Sequence, residues 1–138
     1  MLSLVAAISG IYDVALGVIM LAGRDALARL VGTPLPAPAI HADLNGLFLI
    51  AVGVGYVLPW RDPQKYRGYL WVMGPFLKGA GAAAFVLDVA LRHSPASFLA
   101  FAASDGTLAL VTLAALLAAR PPRVPAGAWR GRSGSPRA

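Results

Sequence analysis

The stretch Leu2–Ala22, LSLVAAISGIYDVALGVIMLA, is 21 residues of almost unbroken apolar sequence with one aspartate, Asp13, in its middle. Its length matches the roughly 20 residues that a helix needs to cross the hydrocarbon core of a bilayer. Working outward, the pattern recurs three times, over Ala39–Trp60, Tyr69–Leu91 and Ala96–Ala119, with Lys78 inside the third run and Asp105 inside the fourth. These runs do not alternate and are rich in Ala, Leu and Gly, which excludes a membrane barrel built on period-two strands. The expected fold is all-α: a four-transmembrane-helix bundle over residues 1–120, followed by a basic Pro/Gly/Ser/Arg-rich tail over 121–138 whose composition predicts disorder.

Composition leads to the same fold class. Hydrophobic residues make up 58% of the 138 and charged residues 13%, about half the charged share of a soluble domain. There is no cysteine, so disulfides, thiolate metal sites and redox thiols are excluded. Asp13 and the missing basic n-region argue that the first run is a retained helix and not a secretory signal.

Basic residues set the expected orientation. With four spans, Arg61, Lys65, Arg67, Arg120, Arg123, Arg130, Arg132 and Arg137 share one side, against Arg24, Arg29 and Arg92 on the other. The positive-inside bias therefore places both termini in the cytoplasm. The net charge of +6 mostly reflects that asymmetry. It implies contact with anionic lipid headgroups at the cytoplasmic face, at about 1 kcal/mol per basic residue, and no nucleic-acid partner.

The connections follow from turn chemistry. Gly23–Gly32 (GRDALARLVG) is expected to form a short interfacial helix with Leu27, Leu30 and Val31 against lipid. The prolines at 34, 36 and 38 make the next segment extended. Pro59–Arg67 reads as a tight turn with Trp60, Tyr66 and Tyr69 at the membrane interface. Ser94 or Ser97 is placed to cap the fourth span. Gly74-Pro75 predicts a kink in the third span just before Lys78.

Function is expected to reside in the charges inside the spans. At about 1.5 Å per residue, Asp13, Lys78 and Asp105 lie roughly 17, 14 and 21 Å from the cytoplasmic ends of their helices. A lone midplane charge costs at least about 2.5–3.5 kcal/mol, so such residues turn inward and pair. Lys78 is thus expected to bridge Asp13 and Asp105, with small residues at helical spacing around each: Gly10 and Gly17, Gly74 and Gly81, Ala102 and Ala109. A cluster of two carboxylates and one ammonium is either a salt-bridged device that fixes bundle register or a proton or cation site.

A second polar layer, His41, Asp43, Asn45 and Asp88 with Arg92 and His93, lies toward the outer end. His41 and Asp43 are two residues apart and point to different helix faces, so no metal site is expected, and an Asp88–Arg92 i,i+4 pair accounts for part of the layer. If either polar layer meets a ligand headgroup from outside, it is this one. Neither histidine lies mid-span, which disfavours haem, and no cofactor is expected.

The segments GIYDVALGVIMLAGRDALARLVG (10–32), LNGLFLIAVGVGYVLPWRDPQKYRG (44–68) and ASDGTLALVTLAALL (103–117) resemble the small four-helix bacterial membrane proteins of the DoxX-like type, over about residues 5–119. That resemblance implies a bacterial inner-membrane protein, of a kind sometimes associated with redox complexes, and it carries no cofactor ligand to a residue here. Small multidrug transporters also place a carboxylate in their first span, but they use Glu, which this chain lacks. Sterol-isomerase-like proteins need central acid and His residues, and both histidines here are near the outer surface. With no catalytic motif, the expected role is a non-catalytic accessory subunit of a larger membrane complex or a homo-oligomer. The alternative is a small proton-coupled transporter or ligand-binding protein that uses Asp13, Lys78 and Asp105.

Overall fold

The computed structural model describes residues 1–119, so the tail expected to be disordered lies outside the described residues. Among these residues every regular element is helical. Helix α1 spans Leu2–Ala22 and α2 spans Arg24–Val31; the second span is made of α3 (Ile40–Gly55) and α4 (Val57–Arg61). The third span runs through α5 (Arg67–Trp71), a π-helical segment (Val72–Lys78) and α6 (Gly79–Arg92). A 3₁₀ turn (Ala96–Phe98) leads into α7, Leu99–Ala118. Four of the resulting helices are long and apolar enough to cross a membrane: Leu2–Ala22, Ile40–Arg61, Arg67–Arg92 and Ala96–Ala118.

The distribution of side chains is that of a membrane protein. Ser9, Asp13 and Thr112 are almost wholly buried, whereas Ile11, Phe76 and Leu117 are each more than 70% exposed. A water-soluble bundle would reverse this pattern, since large exposed apolar surface is rare on soluble monomers. In hydrocarbon the apolar shell costs nothing, and association depends on close packing and polar contacts.

Glycine supplies the close packing between α1 and the second span. A Cβ at Gly53 would stand 2.7 Å from the Gly10 carbonyl oxygen, and one at Gly17 would stand 2.6 Å from that of Gly46. Both pairs are reciprocal, and they recur after two helical turns in each of two antiparallel helices, so the backbones run in direct contact along that seam. Across the bundle Gly74 makes room for Thr112 of α7, whose Oγ1 bonds back to the Leu108 carbonyl at 2.6 Å.

The bundle is unevenly closed. At the end that carries the N-terminus and the last turn of α7, Leu2, Val5, Val52, Tyr56, Leu70 and Leu116 form a tight core. The Tyr56 and Tyr69 rings meet edge to face with centroids 5.2 Å apart, and the Tyr69 hydroxyl donates to the Val52 carbonyl at 2.6 Å. Arg67 donates to the Leu116 carbonyl at the same end. Tyr69, expected at the membrane interface, is partly buried and packs against this core, and its hydroxyl finds a protein acceptor. At the opposite end α6 buries none of its residues.

Two further expectations change, and the proline segment gains a detail. Ala28 and Val31 of α2 are buried against protein, not lipid, although Leu30 is 80% exposed. Ser97 does not cap α7: its hydroxyl donates to the Val31 carbonyl at 2.6 Å, tying α2 to the start of the fourth span. Pro75 lies within a π-helical stretch ending at Lys78. Proline has no N–H and its ring crowds the carbonyl four residues back, and the wider π winding relieves that crowding while keeping the span continuous.

Candidate functional site

Asp13 stands in the middle of α1 between Gly10 and Gly17, on the face that packs against the second span. Lys78 closes the π segment and Asp105 lies in the first half of α7. The three side chains come together. Lys78 Nζ donates to Asp13 Oδ1 at 2.5 Å and to Asp105 Oδ1 at 3.4 Å. The two contacts are unequal in setting as well as length, since the Asp13 side chain is 1% exposed and that of Asp105 is 20% exposed.

Lys78 is held from another side too. Its Nζ lies 4.9 Å from the centroid of the Tyr12 ring, within the range of a cation–π contact. The Tyr12 hydroxyl is 2.7 Å from Ser104 Oγ, which itself donates to the Phe101 carbonyl at 3.0 Å. Tyr12 and Ser104 precede Asp13 and Asp105 directly in sequence, so each carboxylate has a polar neighbour linking α1 to α7. Sequence reasoning missed both residues; the signal was two adjacent pairs, Tyr-Asp and Ser-Asp, on spans that meet.

Above this cluster, toward the α2 end, lies a cavity of about 430 Å³. Asp105 contributes to its lining, Leu16, Phe48 and Phe85 are among its apolar walls, and Ala28 and Val31 of α2 help to enclose it. Phe85, Phe98 and Phe101 form an aromatic cluster with centroids 5.6–6.3 Å apart. In the sequence these phenylalanines read as ordinary span residues. Only the i,i+4 spacing of Phe101 and Asp105 on α7 shows that ring and carboxylate share a face.

The outer polar residues separate. Asp43 accepts from Arg24 Nη1 at 3.0 Å, joining the start of α3 to the start of α2. Asp88 pairs with Arg92 at 3.1 Å one turn away, as the sequence predicted. His41 is exposed, and Asn45 lines the cavity together with Arg24. Among the described residues no three His, Asp or Glu side chains gather closely enough to hold a metal ion.

Compared with protein-family models, with curated proteins and with solved structures, the chain matches none. Tight pairing of Lys78 with Asp13 leaves Asp105 as the more accessible carboxylate of a cluster with one more acid than base. The protein can thus present one carboxylate, backed by a fixed ammonium, at the floor of an apolar chamber.

Proposed function

We propose that this chain is a multi-pass inner-membrane protein that binds a small, largely apolar molecule between its helices, with the Asp13–Lys78–Asp105 cluster at the base of the binding chamber. One observation carries this reading: a partly open cleft of about 430 Å³ between α1, α2, α3, α6 and α7 has apolar walls and Asp105 in its lining, whereas the cleft of similar volume beside Tyr56 and Trp60 has no charged residue in its lining. A register-fixing ion triad has no need of a chamber beside it. Ligand sites are concave and mostly apolar with a few placed polar groups, and they fall in this size range. Both termini face the cytoplasm in this proposal, on the strength of the basic residues, and the chamber opens toward the outer leaflet. Membership of the DoxX-like group, with its bacterial location, is proposed on the three segments quoted above.

A second reading, an accessory subunit or homo-oligomer, is favoured by a different feature. An apolar groove of about 440 Å³ runs along α1, α3 and α4 beside Ala7, Gly10, Gly53 and Trp60. Small residues there allow another helix to approach.

The ligand-binding reading is tested with the purified protein in mild detergent and the neutral fluorophore N-phenylnaphthylamine. Saturable fluorescence enhancement is expected. It is expected to vanish in Ala42→Phe, which fills the cavity from the buried first turn of α3, while helical circular dichroism is retained. Equal enhancement in the filled variant would remove the chamber as the site.

A further inference from the structure

The ligand chemistry is written in the charges around the chamber. Five ionisable residues line it or adjoin it: Arg24, Asp43, Lys78, Asp13 and Asp105. Arg24 at the rim is matched by Asp43 at 3.0 Å, so that pair adds no net charge. Lys78, behind the floor, contacts both carboxylates of the cluster, the buried one at 2.5 Å and Asp105 at 3.4 Å. Two carboxylates share one ammonium, and the less tightly held of the two lines the chamber. With both carboxylates ionised the surplus is negative, and the less buried of the two is on the ligand side.

The walls favour the same sign. Phe85, Phe98 and Phe101 present aromatic rings to the chamber, and aromatic faces attract cations by roughly 0.5–2 kcal/mol, most strongly where water is excluded. Phe101 stands one helical turn before Asp105 on α7, so a cationic head at the carboxylate lies beside that ring. An anion at this floor would face Asp105 directly. Lys78 could not compensate it, being already engaged by two carboxylates and the Tyr12 ring. A neutral apolar molecule would fill the volume but leave Asp105 with only its 3.4 Å contact to a lysine that Asp13 holds more tightly.

We propose that the chamber selects a hydrophobic organic cation, an alkyl- or arylammonium, with its charged head on Asp105 and its apolar body among Phe85, Phe98 and Phe101. This rests on the ligand-binding reading above and specifies it. The size of the chamber accommodates a single aryl ring with a short alkyl arm, with room to spare.

The test compares three probes of one shape and different charge, phenylbutylammonium, phenylbutanol and phenylbutanoate, as competitors of bound N-phenylnaphthylamine in the purified protein. The ammonium is expected to compete at least tenfold more strongly than the alcohol, and the carboxylate least of all. Asp105→Asn is expected to bring the ammonium down to the level of the alcohol while the alcohol is unchanged. Phe101→Leu, which keeps the site apolar, is expected to weaken the ammonium severalfold and the alcohol little. If Asp105→Asn fails to fold, the ranking of the three probes on the parent protein decides by itself. Equal competition by ammonium and alcohol overturns the cation assignment and leaves a neutral-ligand chamber standing. Strongest competition by the carboxylate overturns it in favour of selection by Arg24. A parent protein that gives no saturable enhancement with the fluorophore and no heat of binding with phenylbutylammonium in titration calorimetry overturns the ligand-binding reading and this inference with it.

Discussion

Asp13 and Asp105 share one cation but not one environment, and substitution separates their roles. Asp13→Asn keeps the shape of the side chain and removes the charge that holds Lys78 at 2.5 Å in a site that is almost fully enclosed. Breaking a buried pair costs about 3–5 kcal/mol, because the remaining ion stays desolvated. Asp105→Asn removes the longer contact from a partly exposed group and is expected to cost clearly less. The check is the thermal midpoint of each variant in the same detergent, with Asp13→Asn the lower of the two. The triple variant Asp13→Asn/Lys78→Met/Asp105→Asn is expected to recover part of the loss, since it leaves no ion of the cluster without its partner. A larger loss for Asp105→Asn would mean that Asp105 is the main anchor of Lys78. The meeting of these three residues was legible in the sequence because hydrocarbon tolerates so few ions that three at one depth have to find each other. Tyr12 and Ser104 were not legible, since a hydroxyl in a span satisfies itself in many ways.

At the level of the elements, the seam between α1 and α3 is the most demanding contact. Gly53→Leu is expected to prevent assembly, because its first side-chain carbon already falls 2.7 Å from Gly10 O and 2.8 Å from the Val14 backbone nitrogen. Gly68→Ala is the control: nothing lies within 4 Å of that position, and the change is expected to be neutral or to stabilise the start of α5 by a few tenths of a kcal/mol. Yield of monodisperse protein on size exclusion distinguishes them. The sequence marked Gly10 and Gly17 through their spacing about Asp13, but their partners Gly46 and Gly53 flank no mid-span charge and passed as span composition. Helix α2 was legible as an amphipathic helix and misjudged in its surroundings. Amphipathicity says that one face leaves water, and it does not say whether lipid or protein receives it. The Ser97–Val31 bond and the burial of Ala28 give that face to the protein.

Over the whole molecule, four spans were countable from sequence because length and apolarity leave little choice at this scale. The chamber was not countable. It arises where α6 and the start of α7 stand away from α1 and α3, a property of helix spacing that no single residue announces. Orientation is open to direct test, because the chain contains no cysteine and a single introduced thiol has no background. Ala37→Cys, in the segment between α2 and α3, is expected to react with a membrane-impermeant maleimide in intact cells. Gln64→Cys, in the turn between α4 and α5, is expected to react only after permeabilisation. The reverse result would invert the topology drawn from the basic residues.

The order of the three charges along the chain has a consequence for biogenesis. Asp13 is synthesised before the other two, Lys78 follows 65 residues later, and Asp105 emerges 27 residues after that. Vectorial synthesis therefore delivers the ammonium into a membrane that already holds its tightest counterion. The carboxylate that lines the chamber arrives last, after the pair it joins has had the chance to form.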